Sequence, residues 1–119
     1  MFAKLGAYVI VSSQTPDNPW ESGTFVYSTG RFVTGAQLAM KETGNENVTF
    51  VDHGLNVANA FEKLGKDVVD GFYPKDHIHT GPKGADVVAG AFVKAVLCGE
   101  GPLKAFVKNA TSEVAGSCA

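Results

Sequence analysis

The 119-residue sequence lacks the marks of several protein classes. It contains no apolar run near the roughly 20 residues of a membrane-spanning helix. Residues 1–6 lack the basic start and apolar run of a secretory signal peptide. The ten Lys and Arg residues are scattered, and the net charge is −2, which argues against a nucleic acid as partner. The same charge favours a neutral or small-molecule partner. With 45% hydrophobic residues, the chain is typical of one globular domain.

Cysteine is also scarce, since Cys98 and Cys118 are the only two. An even number near one terminus suits a disulfide that pins the tail, but two free, partly buried thiols fit the residues as well. Two sequons, at Asn47 and Asn109, are candidates for N-glycosylation and add to a secreted interpretation.

Short apolar segments alternate with helical patterns along the chain. Residues 7–13 are continuously apolar or β-branched up to two serines, which predicts a strand buried on both faces. A second strand is predicted at 48–51, and helices at 31–42, 55–64 and 82–97. The first helix is expected to bury the face of Phe32, Ala36, Ala39 and Met40. Residues 68–73 fit either a short irregular helix or an extended piece. This order predicts an α/β fold with a parallel sheet.

A long loop is predicted over residues 14–30, where prolines and glycines forbid a regular element. Loops after the carboxyl end of a strand are often functional in α/β proteins. Trp20, the only tryptophan, lies in this loop. It could stack on a sugar ring, or it could fold back and pin the loop against the body of the protein.

The segment Asp76-His77-Ile78-His79 is the pattern most suggestive of chemistry. An Asp and a His three residues apart can meet across a turn. The carboxylate of Asp76 would then accept a hydrogen bond from Nδ1–H of His79 and leave Nε2 free to take a proton from a hydroxyl. The alternative is a polar turn in which Asp76 caps backbone amides and the histidines are solvated.

Two other groups of residues allow different chemistry. His77 and His79, with Asp52 or His53, could form a metal site, but no further ligand is spaced to complete the set, so we expect neither a metal nor another cofactor. Ser13 ends the first predicted strand, where α/β enzymes often carry a nucleophile. It lacks the flanking glycines of such a turn, and local backbone hydrogen bonds are the alternative.

Several segments together resemble fungal rhamnogalacturonan acetylesterases, which are SGNH (GDSL-like) hydrolases. They are residues 9–16, 18–21, 51–53 and 76–80, with Pro82, Gly84 and Ala85 after them. The resemblance runs through nearly all of the chain and corresponds to the C-terminal half of the family. It implies a three-layer αβα, flavodoxin-like fold, truncated here to a single partial domain over residues 1–119.

The resemblance also implies roles for individual residues. Asp76 matches the triad aspartate of the family and His79 the triad histidine, and Cys98 and Cys118 fall where the family has a C-terminal disulfide that would pin residues 97–119. The family's nucleophile lies in a Gly-Asp-Ser block, and oxyanion-hole residues lie in later blocks such as Gly-His-Asn-Asp. None of these blocks occurs in this sequence.

By resemblance, the expected function is removal of acetyl groups from the rhamnogalacturonan backbone of pectin, by a secreted protein. Whether the chain is itself an enzyme stays open, because only two triad residues are present, and we expect little activity from it alone. The alternative is a non-catalytic carbohydrate-binding or inert remnant, with Trp20 in the binding loop. An exposed sheet edge predicts pairing with another copy.

Overall fold

Two parallel strands, β1 (Val9–Ser12) and β2 (Val48–Val51), form the centre of the structure. The computed structural model describes residues 1–108 and 118. Val9 pairs with Val48 and Ser12 with Val51, so the predicted parallel arrangement is confirmed. The prediction that β1 is buried on both faces is wrong. Its residues are half-buried or exposed, and among the described residues β2 is the one strand that pairs with it, so its other edge is open.

The described part of the chain contains four α-helices in the predicted order. They are α1 (Arg31–Thr43), α2 (His53–Leu64), α3 (Lys66–Asp70) and α4 (Pro82–Cys98). Short 3-10 helices cover Phe2–Leu5 and Pro102–Phe106. The segment left open between helix and extended chain is thus the short helix α3 followed by a turn. Within the described ranges, no helix is both long and apolar enough to cross a membrane.

Helices lie on both faces of the strand pair. Ile10 and Val51 pack with Ala95 and Val96 of α4. Alternate residues of a strand point to opposite faces, and Val9 accordingly lies on the side of α1, which contacts both strands. A parallel strand pair between helices agrees with the predicted α/β class.

The face of α1 that packs against the strands agrees with the predicted one in part, since Ala36 and Met40 are half-buried whereas Phe32 and Ala39 are exposed. Val33 is 4% exposed, whereas Phe32 is 61% exposed. Ala36 and Met40, which follow Val33 at helical spacing, are half-buried. The buried face therefore centres on Val33, and the ring of Phe32 is left in solvent.

The main core lies between α2, α3 and α4. Phe61, Val57 and Val69 are its fully buried large side chains, and Phe72 and Tyr73 pack with them. The Tyr73 hydroxyl donates a hydrogen bond of 2.9 Å to the backbone oxygen of Pro16. Burial, together with the negative charge of Asp17, raises the pKa of Tyr73 to about 12, so this hydroxyl remains a donor at neutral pH. Tyr73, three residues before the Asp-His-Ile-His segment, is thereby held in the core.

A disulfide joins Cys98 at the end of α4 to Cys118, with the Cα atoms 5.5 Å apart. Of the two alternatives for the cysteines, the disulfide is therefore confirmed. Asn47 is half-buried just before β2, where its backbone oxygen accepts a 2.8 Å hydrogen bond from Val9. Its glycosylation stays a prediction, and Asn109 lies outside the described residues.

Candidate active site

Asp76 and His79 form a hydrogen-bonded pair within a tight turn. Nδ1 of His79 lies 2.9 Å from Oδ2 of Asp76. The other carboxylate oxygen, Oδ1, accepts backbone N–H bonds from Ile78 at 2.8 Å and from His79 at 2.7 Å. Both alternatives considered for this carboxylate therefore occur together, since it caps backbone amides and also contacts the imidazole.

These hydrogen bonds favour the ionised form of Asp76. The backbone N–H of His79, the imidazole of His79 and the backbone N–H of Ile78, in that order, hold the pKa of the Asp76 carboxyl well below its usual range. An ionised carboxylate can accept a hydrogen bond from the tautomer of His79 that carries its proton on Nδ1. The side chain of His79 is 79% exposed, so Nε2 is left to accept a proton from an approaching hydroxyl.

The turn is attached to the body of the protein at several points. Gly81 N–H donates to the backbone oxygen of Phe72 at 2.7 Å, which closes the loop at its base. Asn18 N–H donates to the backbone oxygen of His77 at 2.7 Å, so the long loop after β1 contacts the turn directly. The His77 ring itself lies 3.5 Å from Oε1 of Glu21 and is half exposed.

The side chain of Asn18 makes two hydrogen bonds that were not predicted from the sequence. Its side-chain Nδ2 donates to Oδ1 of Asp70 at 2.9 Å, and its Oδ1 accepts the backbone N–H of Trp20 at 3.0 Å. Lys66 forms an ion pair with the same aspartate. Lys66 first, and then Asn18, lower the pKa of Asp70. An Asn before a proline predicts only a turn, and nothing local signals a partner 52 residues away.

Trp20 folds back onto the protein. Its indole N–H donates to the backbone oxygen of Phe61 at 3.0 Å, and its ring packs against the main core and edge-on to Phe25. Of the two alternatives for this residue, the geometry is that of a loop anchor. A direct contact of Trp20 with a sugar stays a prediction.

Ser13 is buried at the end of β1, with 3% exposure. Its hydroxyl donates to Oδ1 of Asp52 at 2.8 Å and accepts the backbone N–H of Gly54 at 2.7 Å. Asp52 in turn caps α2 by accepting the N–H of Leu55. The hydroxyl of Ser13 is thus engaged with residues at the start of α2, which are distant in sequence, and not with local backbone as the alternative predicted, and no imidazole is among these partners.

His53 lies apart from the other two histidines. Its Nε2 is 3.0 Å from the backbone oxygen of Val88, and its ring packs edge-on against Phe92 of α4. Among residues 1–108 and 118, no three His, Cys, Asp or Glu side chains come together in a way that could hold a metal ion. The structure thus does not unite the residues of the hypothetical metal site.

A parallel strand pair with helices on both faces and a carboxylate–imidazole pair in a neighbouring loop is compatible with part of an α/β hydrolase. No protein-family model matches the chain. Over 98 residues, however, it is 55% identical to a rhamnogalacturonan acetylesterase of Emericella nidulans, a match that covers 82% of this chain and 39% of the relative. The chain therefore corresponds to part of a rhamnogalacturonan acetylesterase, and it spans about two fifths of the length of that relative.

Proposed function

We propose that the chain supplies the acid–base part of a serine acetylesterase that acts on the rhamnogalacturonan backbone of pectin. The observation that carries this proposal is the 2.9 Å contact between Nδ1 of His79 and Oδ2 of Asp76. The 55% identity to a rhamnogalacturonan acetylesterase supports the choice of ester and polysaccharide. The disulfide supports a secreted protein, since such bonds persist in oxidising surroundings.

In the proposed mechanism, Nε2 of His79 removes the proton of a serine hydroxyl as its oxygen attacks the acetyl carbonyl. The resulting imidazolium is stabilised by Asp76 and then protonates the sugar oxygen as the bond from carbonyl carbon to sugar oxygen breaks. A water molecule, deprotonated in turn by His79, attacks the acetyl-serine, and the imidazolium returns this proton to the serine oxygen as the acyl–oxygen bond breaks. The products are acetate and the deacetylated sugar, and both enzyme groups return to their first protonation states.

The proposal places the serine outside these 119 residues. The sequence has neither the Gly-Asp-Ser nor the Gly-His-Asn-Asp block of the family, and the hydroxyl of Ser13 is engaged with Asp52 and Gly54. The complete site would be a three-layer SGNH fold in which further strands continue the sheet beyond β1. Donors of an oxyanion hole typically contribute about 3–4 kcal/mol each to transition-state stabilisation, so we expect the 119-residue chain alone to be inactive.

Complementation tests this proposal. The chain is co-expressed with the part of the Emericella nidulans relative that it does not match, and acetate release from acetylated rhamnogalacturonan is measured. We expect release with the wild-type chain and a loss of at least roughly a thousandfold in the His79→Ala variant. His77→Ala is the matched control, because His77 belongs to the same turn but contacts Glu21 instead of Asp76.

Two results would overturn the proposal. One is equal acetate release by the wild-type and His79→Ala complexes. The other is His79-dependent hydrolysis of an aryl acetate by the 119-residue chain alone, which would show that a nucleophile lies within it.

A further inference from the structure

A cavity of about 220 Å³ lies beneath the long loop, at the carboxyl end of β1. Its walls combine groups of two kinds. Buried Pro16, Pro19 and Val33 are apolar, whereas Gln14, Asp17 and Tyr27 carry hydrogen-bonding groups. Apolar walls with a few polar groups are typical of small-molecule sites. The volume is below the roughly 300–1,000 Å³ of pockets for drug-sized ligands, so it suits one ring.

An aromatic ring stands at this cavity. Phe32 is among the lining residues and is 61% exposed, although it is a large apolar side chain. The guanidinium carbon of Arg31 lies 4.9 Å from the centre of the Phe32 ring, a cation–π contact that holds the ring in place. Sugar rings present apolar C–H faces to such aromatic surfaces and hydroxyl groups at their edges.

The polar groups of the cavity suit hydroxyl groups. The Asp17 carboxylate and the Gln14 amide can accept hydrogen bonds. Burial, and then the charge of Asp52, raises the pKa of Tyr27, so its phenol remains a neutral group that can donate or accept. Asp17 is the one charged residue among those that line the cavity, and its carboxylate disfavours an anionic ligand, whereas the guanidinium of Arg31 is engaged with the Phe32 ring.

The cavity adjoins the turn that carries His79. Asn18 is one of its lining residues, and the backbone N–H of Asn18 donates to the backbone oxygen of His77. The cavity and the turn therefore share a wall. Trp20 is not among the lining residues, because its indole is directed to Phe61.

We infer that this cavity is a binding subsite for a single uncharged pyranose ring, with Phe32 against the face of the ring and Asp17 and Tyr27 at its hydroxyl groups. The inference rests on the proposed function, since that names a polysaccharide containing rhamnose, which is uncharged, and galacturonate, which is charged. On this inference Phe32, Asp17 and Tyr27 hold the sugar, and the sugar they hold is rhamnose, not galacturonate.

The test is an NMR titration of the 119-residue chain with an unacetylated rhamnogalacturonan oligosaccharide. We expect shifts of the amide signals of residues that line the cavity. Phe32→Ala should raise the Kd by roughly fivefold or more. Leu38→Ala should leave the Kd unchanged, because it removes an exposed apolar side chain of α1 that lies outside the cavity. An oligogalacturonate of equal length should not shift these signals.

Three results would overturn the inference. They are the absence of shifts at the cavity, equal Kd values for Phe32→Ala and Leu38→Ala, and cavity shifts of the same size with oligogalacturonate. Because His79→Ala should lose most acetate release but should bind the oligosaccharide as the wild type does, the two proposals can be tested independently. Binding without hydrolysis in the complemented complex would count against the proposed reaction alone, and hydrolysis without cavity shifts against the subsite alone.

Discussion

His79 binds both oxygens of the Asp76 carboxylate, one through its backbone N–H at 2.7 Å and the other through its imidazole at 2.9 Å. The carboxylate that shapes the turn is thus the one that orients the ring. A substitution of Asp76 therefore changes the backbone and the imidazole together, and its effects on shape and on chemistry cannot be separated by activity alone.

The low pKa of Asp76 predicts how the turn responds to acid. Its pKa in the folded chain lies below the value of about 3.9 for an unfolded Asp. Ionised Asp76 therefore favours the folded state above about pH 4, and this contribution is lost as the pH falls through the folded pKa. A carbon-13 titration of the carboxyl should give a midpoint below that of an Asp-containing peptide. A midpoint equal to the peptide value would contradict the hydrogen bonding described for this turn.

Gly54 is predicted to tolerate no side chain. A Cβ atom there would lie 2.5 Å from the backbone oxygen of Gln14 and 3.0 Å from the Tyr27 hydroxyl. Gly54→Ala should therefore lower the free energy of unfolding by about 1–3 kcal/mol, as measured by urea denaturation. Gly35→Ala is the control, because nothing lies within 4 Å of its Cβ and its φ is not positive. It should raise stability by roughly 0.5–1 kcal/mol, and equal effects at the two sites would refute the close approach.

The disulfide is predicted to stabilise the chain through the loop that it closes. Cys98 and Cys118 are 20 residues apart, and the chain-entropy model gives about 3 kcal/mol for a loop of this size. Replacing both cysteines by serine should lower the free energy of unfolding by about that amount. Urea denaturation of the wild type with and without a reductant provides the comparison. A wild type whose midpoint does not respond to the reductant would exclude this contribution.

Asn18→Ala should loosen the attachment of the turn. It removes the hydrogen bonds to Asp70 and to the Trp20 N–H, so the free energy of unfolding should fall. The pKa of Asp70 should rise towards its ordinary value, since Asn18 helps to lower it. Chemical denaturation and a carboxyl titration measure the two effects. Unchanged Asp70 titration in Asn18→Ala would show that this hydrogen bond does not form.

The free edge of β1 is predicted to pair with a second copy. Val9 and Ser13 donate their N–H groups to the β2 side, so the amides of Ile10 and Ser12 face away from β2. Among the described residues, no further strand joins this edge. We expect concentration-dependent association in analytical ultracentrifugation, with slower hydrogen exchange at Ile10 and Ser12 in the associated form. Association that leaves these two amides unprotected would place the contact elsewhere.

The sequence predicted the elements because they rest on local patterns. Residues 48–51 form β2 as expected, and Pro82 begins α4. The Asp76–His79 contact was also predictable, since the two residues are only three positions apart in the sequence. The buried face of α1 was not, because both Phe32 and Val33 are apolar and only the sheet beneath decides which is covered. The role of Asn18 depends on partners distant in sequence, which no local pattern indicates.

The turn is formed by contacts between residues close in sequence, whereas its attachment to the protein is formed by contacts between residues distant in sequence. The Asp76–His79 pair needs four consecutive residues, so it can form early in folding at little cost in loop-closure entropy. Its placement depends on the contacts of Asn18 with His77 and of Tyr73 with Pro16, which join distant parts of the chain. Contacts of that range form slowly. The Asp76–His79 hydrogen bonds would thus form before the contacts that position the turn, and a short peptide spanning the turn would retain the hydrogen bonds without the positioning.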